Sequence, residues 1–189
     1  MSDGLSLRLA TPDDLPDIVK LIDASVRGLS TSYYSGPQID QALRTVFGPD
    51  TQLIADRTYF VIEAPDESLV ASGGWSKRGT LYGGDQHKGS GADPLLNPIV
   101  DAARIRAFFV HPAYARRGLG RRVFEACRAS AERAGFKALE LGATLPGVPF
   151  YETLGFKALE RADAALPGDM VLQIVRMRRN IARLELVTD

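Results

Sequence analysis

The sequence predicts an α+β fold with a mixed, mostly antiparallel central sheet flanked by helices, built as one domain over residues 1–189. Three observations carry this. Two β-rich runs, "TYFVIEA" and "LVASGGWS", are separated by the turn "PDES" and read as an antiparallel hairpin. A later strand–helix–strand unit, "AARIRAFFV" to "FKALELGA", requires a locally parallel pair. The chain also opens on one strand followed by two helical segments, which have to cover a face of that sheet.

Taken in order, "SLRLA" (6–10) alternates as a strand. Thr11-Pro12-Asp13-Asp14 is a helix-start signal, with a capping hydroxyl, an early proline and acids in the first turn. Leu15, Ile18, Val19, Ile22 and Val26 follow at helical spacing. "STSYYSGPQ" breaks the pattern. A second helix is expected from about Pro37, with Ile39, Leu43, Val46 and Phe47 inward and Gly48 as its stop. The hairpin occupies 58–64 and 69–76, and Gly73-Gly74 signals a bulge or a close backbone approach. Residues 77–100 are rich in Gly, Pro and polar types and form a long loop. A strand at 102–110, a helix from Gly118 to Gly135, a strand at 136–143, a short helix at 149–156 and a last strand at 170–179 complete the chain.

Lys+Arg and Asp+Glu balance at 23 each, so net charge points to neither nucleic acid nor an anionic membrane as partner. No apolar run reaches the roughly 20 residues that span a bilayer. The start "MSDGLSLRLA" lacks the apolar core of a signal peptide. A single cysteine, Cys127, rules out an internal disulfide and suits a reducing compartment. A cytoplasmic protein is the expectation.

One stretch stands apart from this ordinary composition. In "FFVHPAYARRGLGRR" (108–122) a strand stops at Pro112, and arginines and glycines gather at the mouth of a helix. From Ala102 to Phe124 there are six arginines (104, 106, 116, 117, 121 and 122) and no acid. A helix N-terminus presents unpaired N–H groups and partial positive charge. Glycines at 118 and 120 let an anion approach that backbone. The combination points to a phosphate or pyrophosphate ligand. It is not a P-loop, since Gly-Lys-Ser/Thr is absent, and a dinucleotide fingerprint lacks its third glycine.

"VHPAYARRGLGRRVFEAC" resembles the acetyl-CoA-binding segment of the GNAT (Gcn5-related) N-acetyltransferases, Arg/Gln-x-x-Gly-x-Gly/Ala after a strand ending in Val-x-Pro. Ala115 departs from it, standing where Arg or Gln is usual. "PFYETLGF" resembles the same family's tyrosine-bearing segment, here without the asparagine often found before it. The resemblance implies a three-layer α/β architecture over essentially the whole chain. It implies acetyl-CoA as acyl donor, held at Phe109, Val110, Arg116, Arg117, Gly118, Leu119, Gly120 and Arg121, with no metal. In that family the amine attacks directly in a ternary complex. Tyr151 is then the candidate general acid on the departing thiolate.

Glu63, at the end of the second strand, is a candidate general base, with Asp101, Asp85 and His87 as weaker ones and a water chain as the alternative. Arg104 and Arg106 read either as solvated surface or as contacts to an acidic substrate. Trp75, Tyr82, Tyr33 and Tyr34 are candidates for an acceptor pocket, with core packing as the competing reading for Trp75. A small-molecule amine acceptor is expected before a protein, with no nucleic acid or membrane partner and a possible homodimer through the last strand. A non-catalytic acyl-CoA-binding module, a transferase for longer acyl-CoA and a nucleotide-phosphate binder stay open.

Overall fold

The computed structural model describes residues 4–88 and 91–181. The first strand, β1 (Ser6–Leu9), ends at a capping box in which the Thr11 N–H and hydroxyl both donate to Asp14, at 2.7 and 3.1 Å. A 3₁₀ turn at Pro12–Asp14 then enters α1 (Leu15–Leu29). Pro16 is tolerated because first-turn N–H groups have no helical acceptor. Ile18, Leu21, Ile22, Ser25 and Val26 form the buried stripe. Val19, expected inward, lies beside that stripe and is 48% exposed.

Helix α2 (Gly36–Thr45) starts at a Ser35 cap and stops before Gly48, so the expected stop is corrected. Gly48 serves a close approach instead, since a Cβ there would strike the Gln86 side chain. An unforeseen short helix, α3 (Thr51–Ala55), is capped by Asp50. The hairpin is β2 (Tyr59–Glu63) and β3 (Leu69–Ser76). β4 (Ala103–Val110) pairs with β3, with a register shift at Ser72/Gly74 and Ala107 at φ +57°. Then come α4 (Leu119–Arg133), β5 (Ala138–Thr144) and α5 (Val148–Thr153). β6 (Lys157–Leu166) and β7 (Met170–Asn180) close the chain as an antiparallel pair. β6 escapes sequence reading because Lys157 to Asp163 are exposed, so no apolar alternation marks it.

The seven strands form one sheet in the order β1-β2-β3-β4-β5-β7-β6. Every pairing is antiparallel except β4 with β5. β7 is paired on both sides and β6 forms the edge, so the last strand is not open for the dimer pairing considered from sequence. Side chains alternate between faces, with Val61 in one core cluster and Ile62 in the other. α4 and α5 cover one face; α1 and α2 cover the other. No described helix is long and apolar enough to cross a membrane.

The feature that positions the site is the β4–β5 junction. Their pairing is confined to Ala103↔Leu139 and Arg104↔Glu140. Beyond it β4 stays with β3 and β5 with β7, so the two diverge and leave one edge of Ile105–Val110 bare.

Candidate active site

A cavity of about 600 Å³ occupies the gap between β4 and β5. Its walls come from both core clusters, Phe108, Leu119 and Tyr151 on the α4–α5 face and Phe47, Tyr82 and Ile174 on the α1–α2 face. The cavity therefore runs through the sheet where the sheet opens. Phe109, Val110, Arg116, Gly118, Leu119, Gly120, Arg121 and Tyr151, all singled out from sequence, line it.

At one end lies the Arg-Gly loop. Arg116 (φ +62°) and Gly118 (φ +80°) are both left-handed, which turns the backbone into the start of α4. The first N–H to find a helical acceptor is that of Arg122, bonded to the Gly118 carbonyl at 3.0 Å. The N–H groups of Leu119, Gly120 and Arg121 lack helical acceptors and sit at the positive end of a 15-residue helix. A Cβ on Gly118 would meet nothing within 4 Å, so glycine is required there by conformation and the adjoining space is open. Gly120 differs, because a Cβ there would come within 3.1 Å of the Phe150 ring.

The six arginines divide by role. Arg104 pairs with Glu140 at 2.8 Å, and Arg106 with Asp50 at 2.8 Å while donating to the Gly83 carbonyl. Both are held in ion pairs rather than solvated, which corrects the reading of exposed surface, and Arg106 also lines the cavity. Arg121 reaches the Thr153 carbonyl, Arg122 the Leu5 carbonyl, and the Arg117 guanidinium lies over the Tyr114 ring at 4.9 Å, outside the cavity wall. Arg116 is exposed, lines the cavity and has no hydrogen bond or ion pair among the described residues.

On the bare edge of β4 the Val110 N–H donates to Ser25 Oγ at 3.2 Å. Ser25, on α1, lines the cavity and gave no sequence signal. Tyr151 is packed among Phe108, Phe150 and Phe156 at ring distances of 6.2, 5.1 and 5.7 Å. Its hydroxyl has no hydrogen-bond partner among the described residues. Burial pushes the phenol's pKa up, which keeps it protonated through neutral pH.

Several candidates fall elsewhere. The Glu63 carboxylate accepts from Arg8 Nε at 3.0 Å, beside Asp14, and lines no part of the cavity. The expectation of a cleft-facing base is thereby corrected: the carboxylate is tied to the β1–β2 pair. Asp101 accepts from the Asn97 N–H, and Asp85 from the Thr51 N–H. His87 stacks behind Tyr82 at 4.9 Å, its pKa lowered by burial. Trp75 is buried edge-on against Phe136, and Cys127 is in the core. Tyr34 is buried, donating to the Gln173 carbonyl and accepting from the Leu145 N–H, whereas Tyr33 lines the cavity. Among the described residues no Asp, Glu or His lines the cavity.

Residues 97–165 match the model of a family described as "Acetyltransferase (GNAT) domain". A comparison with curated protein sequences gives no match. Among solved structures, a GCN5-related N-acetyltransferase from Rhodopseudomonas palustris aligns with a TM-score of 0.67 at 20% identity, over 93% of this chain and 95% of that one. The PaiA N-acetyltransferase of Thermoplasma acidophilum, in complex with coenzyme A, aligns with a TM-score of 0.63 at 14% identity, over 96% and 100%. The ribosomal-protein-S18-alanine N-acetyltransferase of Escherichia coli gives 0.59 at 16% identity, over 98% and 99%. The match to the GNAT acetyltransferase domain runs from before β4 into β6, and the fold shared with these acetyltransferases extends over nearly all of the chain.

Proposed function

We propose that this chain transfers the acetyl group of acetyl-CoA to a small-molecule amine by direct attack in a ternary complex. The observation that carries this is one cavity whose lining joins a helix N-terminus suited to an anion, a bare strand edge and an unbonded tyrosine hydroxyl to apolar and aromatic walls. The pyrophosphate fits the Leu119–Arg121 amides, with Arg116 as the cation at the mouth. The pantetheine arm lies along the bare edge of β4 like another strand. There the Val110 N–H, which Ser25 now occupies, offers a donor to a ligand carbonyl. A donor fixed at this strand edge stabilises charge developing on the acetyl oxygen.

The amine nitrogen attacks the acetyl carbon, the C–S bond breaks, and the departing sulfur takes the proton of Tyr151. The proton released by the nitrogen returns to the phenolate through cavity water, giving the amide and free CoA thiol. Holding both reactants in one cavity supplies most of the gain. Lining residues of this cavity supply no carboxylate or imidazole base among those described, so the water route fits better than a side-chain base. The CoA-bound neighbour supports the donor assignment, and the ribosomal-protein-S18-alanine N-acetyltransferase shares the fold.

The experiment is Tyr151→Phe, assayed by CoA release and by acetyl-CoA titration. With Tyr151 as acid, kcat falls by about 10²-fold or more while acetyl-CoA affinity is unchanged. A kcat within about threefold of wild type would remove Tyr151 from that role.

A further inference from the structure

We propose that the acceptor is a weakly basic aromatic amine, uncharged at neutral pH and seated against Tyr82; this rests on the acetyl-transfer reading above. The acceptor end of the cavity is walled by Leu29, Tyr33, Phe47, Leu81, Tyr82 and Ile174. These are apolar or aromatic; the charged side chain that joins the lining beside them is the cation Arg106, and among the described residues no carboxylate lines the cavity. The nearest buried carboxylate, Asp50, is already committed to two cations and is not free as a counter-ion. Asp50 is fully buried and held by both Arg106 and Lys88, with Asp85 3.4 Å from Lys88 at the surface.

That arrangement selects against an aliphatic ammonium. Such an amine, with a pKa near 10, would give up its water without a counter-ion and meet no lining base to take its proton. An aromatic amine needs neither, since delocalisation of its lone pair into the ring leaves the nitrogen unprotonated. Its ring also suits aromatic walls.

Tyr82 is a fixed wall. Its ring lies across β5 at Gly142, where a Cβ would come within 3.1 Å of it. The His87 ring backs it, and the Arg106–Gly83 hydrogen bond anchors the next residue of the loop to β4.

The test compares initial rates at neutral pH for aniline and 4-methylaniline against spermidine and a blocked lysine peptide. The anilines are expected to show a kcat/KM higher by about tenfold or more. Tyr82→Ala lowers the aniline kcat/KM about tenfold, Tyr82→Phe restores it, and acetyl-CoA affinity is unchanged in both. Spermidine or the peptide equalling the anilines, an unaffected Tyr82→Ala, or no aniline turnover by acetyl-CoA-bound protein would each overturn the inference. Failure to bind acetyl-CoA would instead overturn the acetyl-transfer reading beneath it.

Discussion

The donor end of the cavity comes from one nearly unbroken stretch, Phe108 to Arg121, with Tyr151 added from α5. The acceptor end is gathered from five places: the end of α1, the turn after α2, the loop at 81–84, β5 and β7. Local chain chemistry builds the first, through a strand end, two left-handed residues and a helix N-terminus. Tertiary packing builds the second, and its keystone is a buried charge cluster rather than a motif. The difference implies that donor-end substitutions change ligand affinity with the fold intact. Acceptor-end substitutions reach binding through the position of a loop.

The largest effect is expected at that keystone. Asp50→Ala leaves the buried Arg106 without its carboxylate partner, and removing one partner of a buried pair costs about 3–5 kcal/mol. Urea melts read the loss. A change within about 1 kcal/mol would mean that the cluster is not the anchor of the acceptor end.

At the donor end, Gly118→Val forces a β-branched residue to φ +80° and puts a side chain into the open cradle. Acetyl-CoA affinity falls by about tenfold to a hundredfold, while circular dichroism stays native. Unchanged affinity would mean that the pyrophosphate sits elsewhere. Arg116→Ala is milder, because the backbone amides remain. A loss of about three- to tenfold that shrinks at high salt is expected by titration, and a salt-independent loss would contradict a charge contact.

The smallest effect on rate belongs to a region outside the cavity. Glu63→Gln keeps kcat within about threefold, and a larger drop would restore Glu63 as a base. Its neighbour Asp14 matters for stability instead. Arg8 hydrogen bonds hold the Asp14 carboxyl below its usual range despite an opposing burial effect. That stability is present above the unfolded carboxyl's pKa of about 4 and is lost as pH falls through the lower folded value. Wild type and Asp14→Asn should therefore differ in denaturant midpoint at pH 7 and converge on acidification; a constant gap would exclude this linkage.

The same contrast explains what the sequence made legible. The Arg-Gly loop, Tyr151 and the strand–helix–strand frame are read from local spacing, and the structure brings them to one cavity. Arg104 and Arg106 carry the same residue type as Arg116, and only the positions of Glu140 and Asp50 reveal them as locked. Glu63 misleads for the same reason, since its partner Arg8 lies 55 residues away. Ser25 reaches the cavity through packing that no apolar periodicity encodes, and the spacing that turns Phe47 inward does not say that it meets a cavity. β6 is silent because an edge strand exposed over most of its length needs no alternation.

The central claim is that the Arg-Gly loop and the bare edge of β4 form an acetyl-CoA site, and calorimetric titration tests it most directly. Acetyl-CoA and CoA should bind in roughly the micromolar range, with no response to ATP or NAD. No binding of any CoA species, or equal binding of ATP, would contradict it.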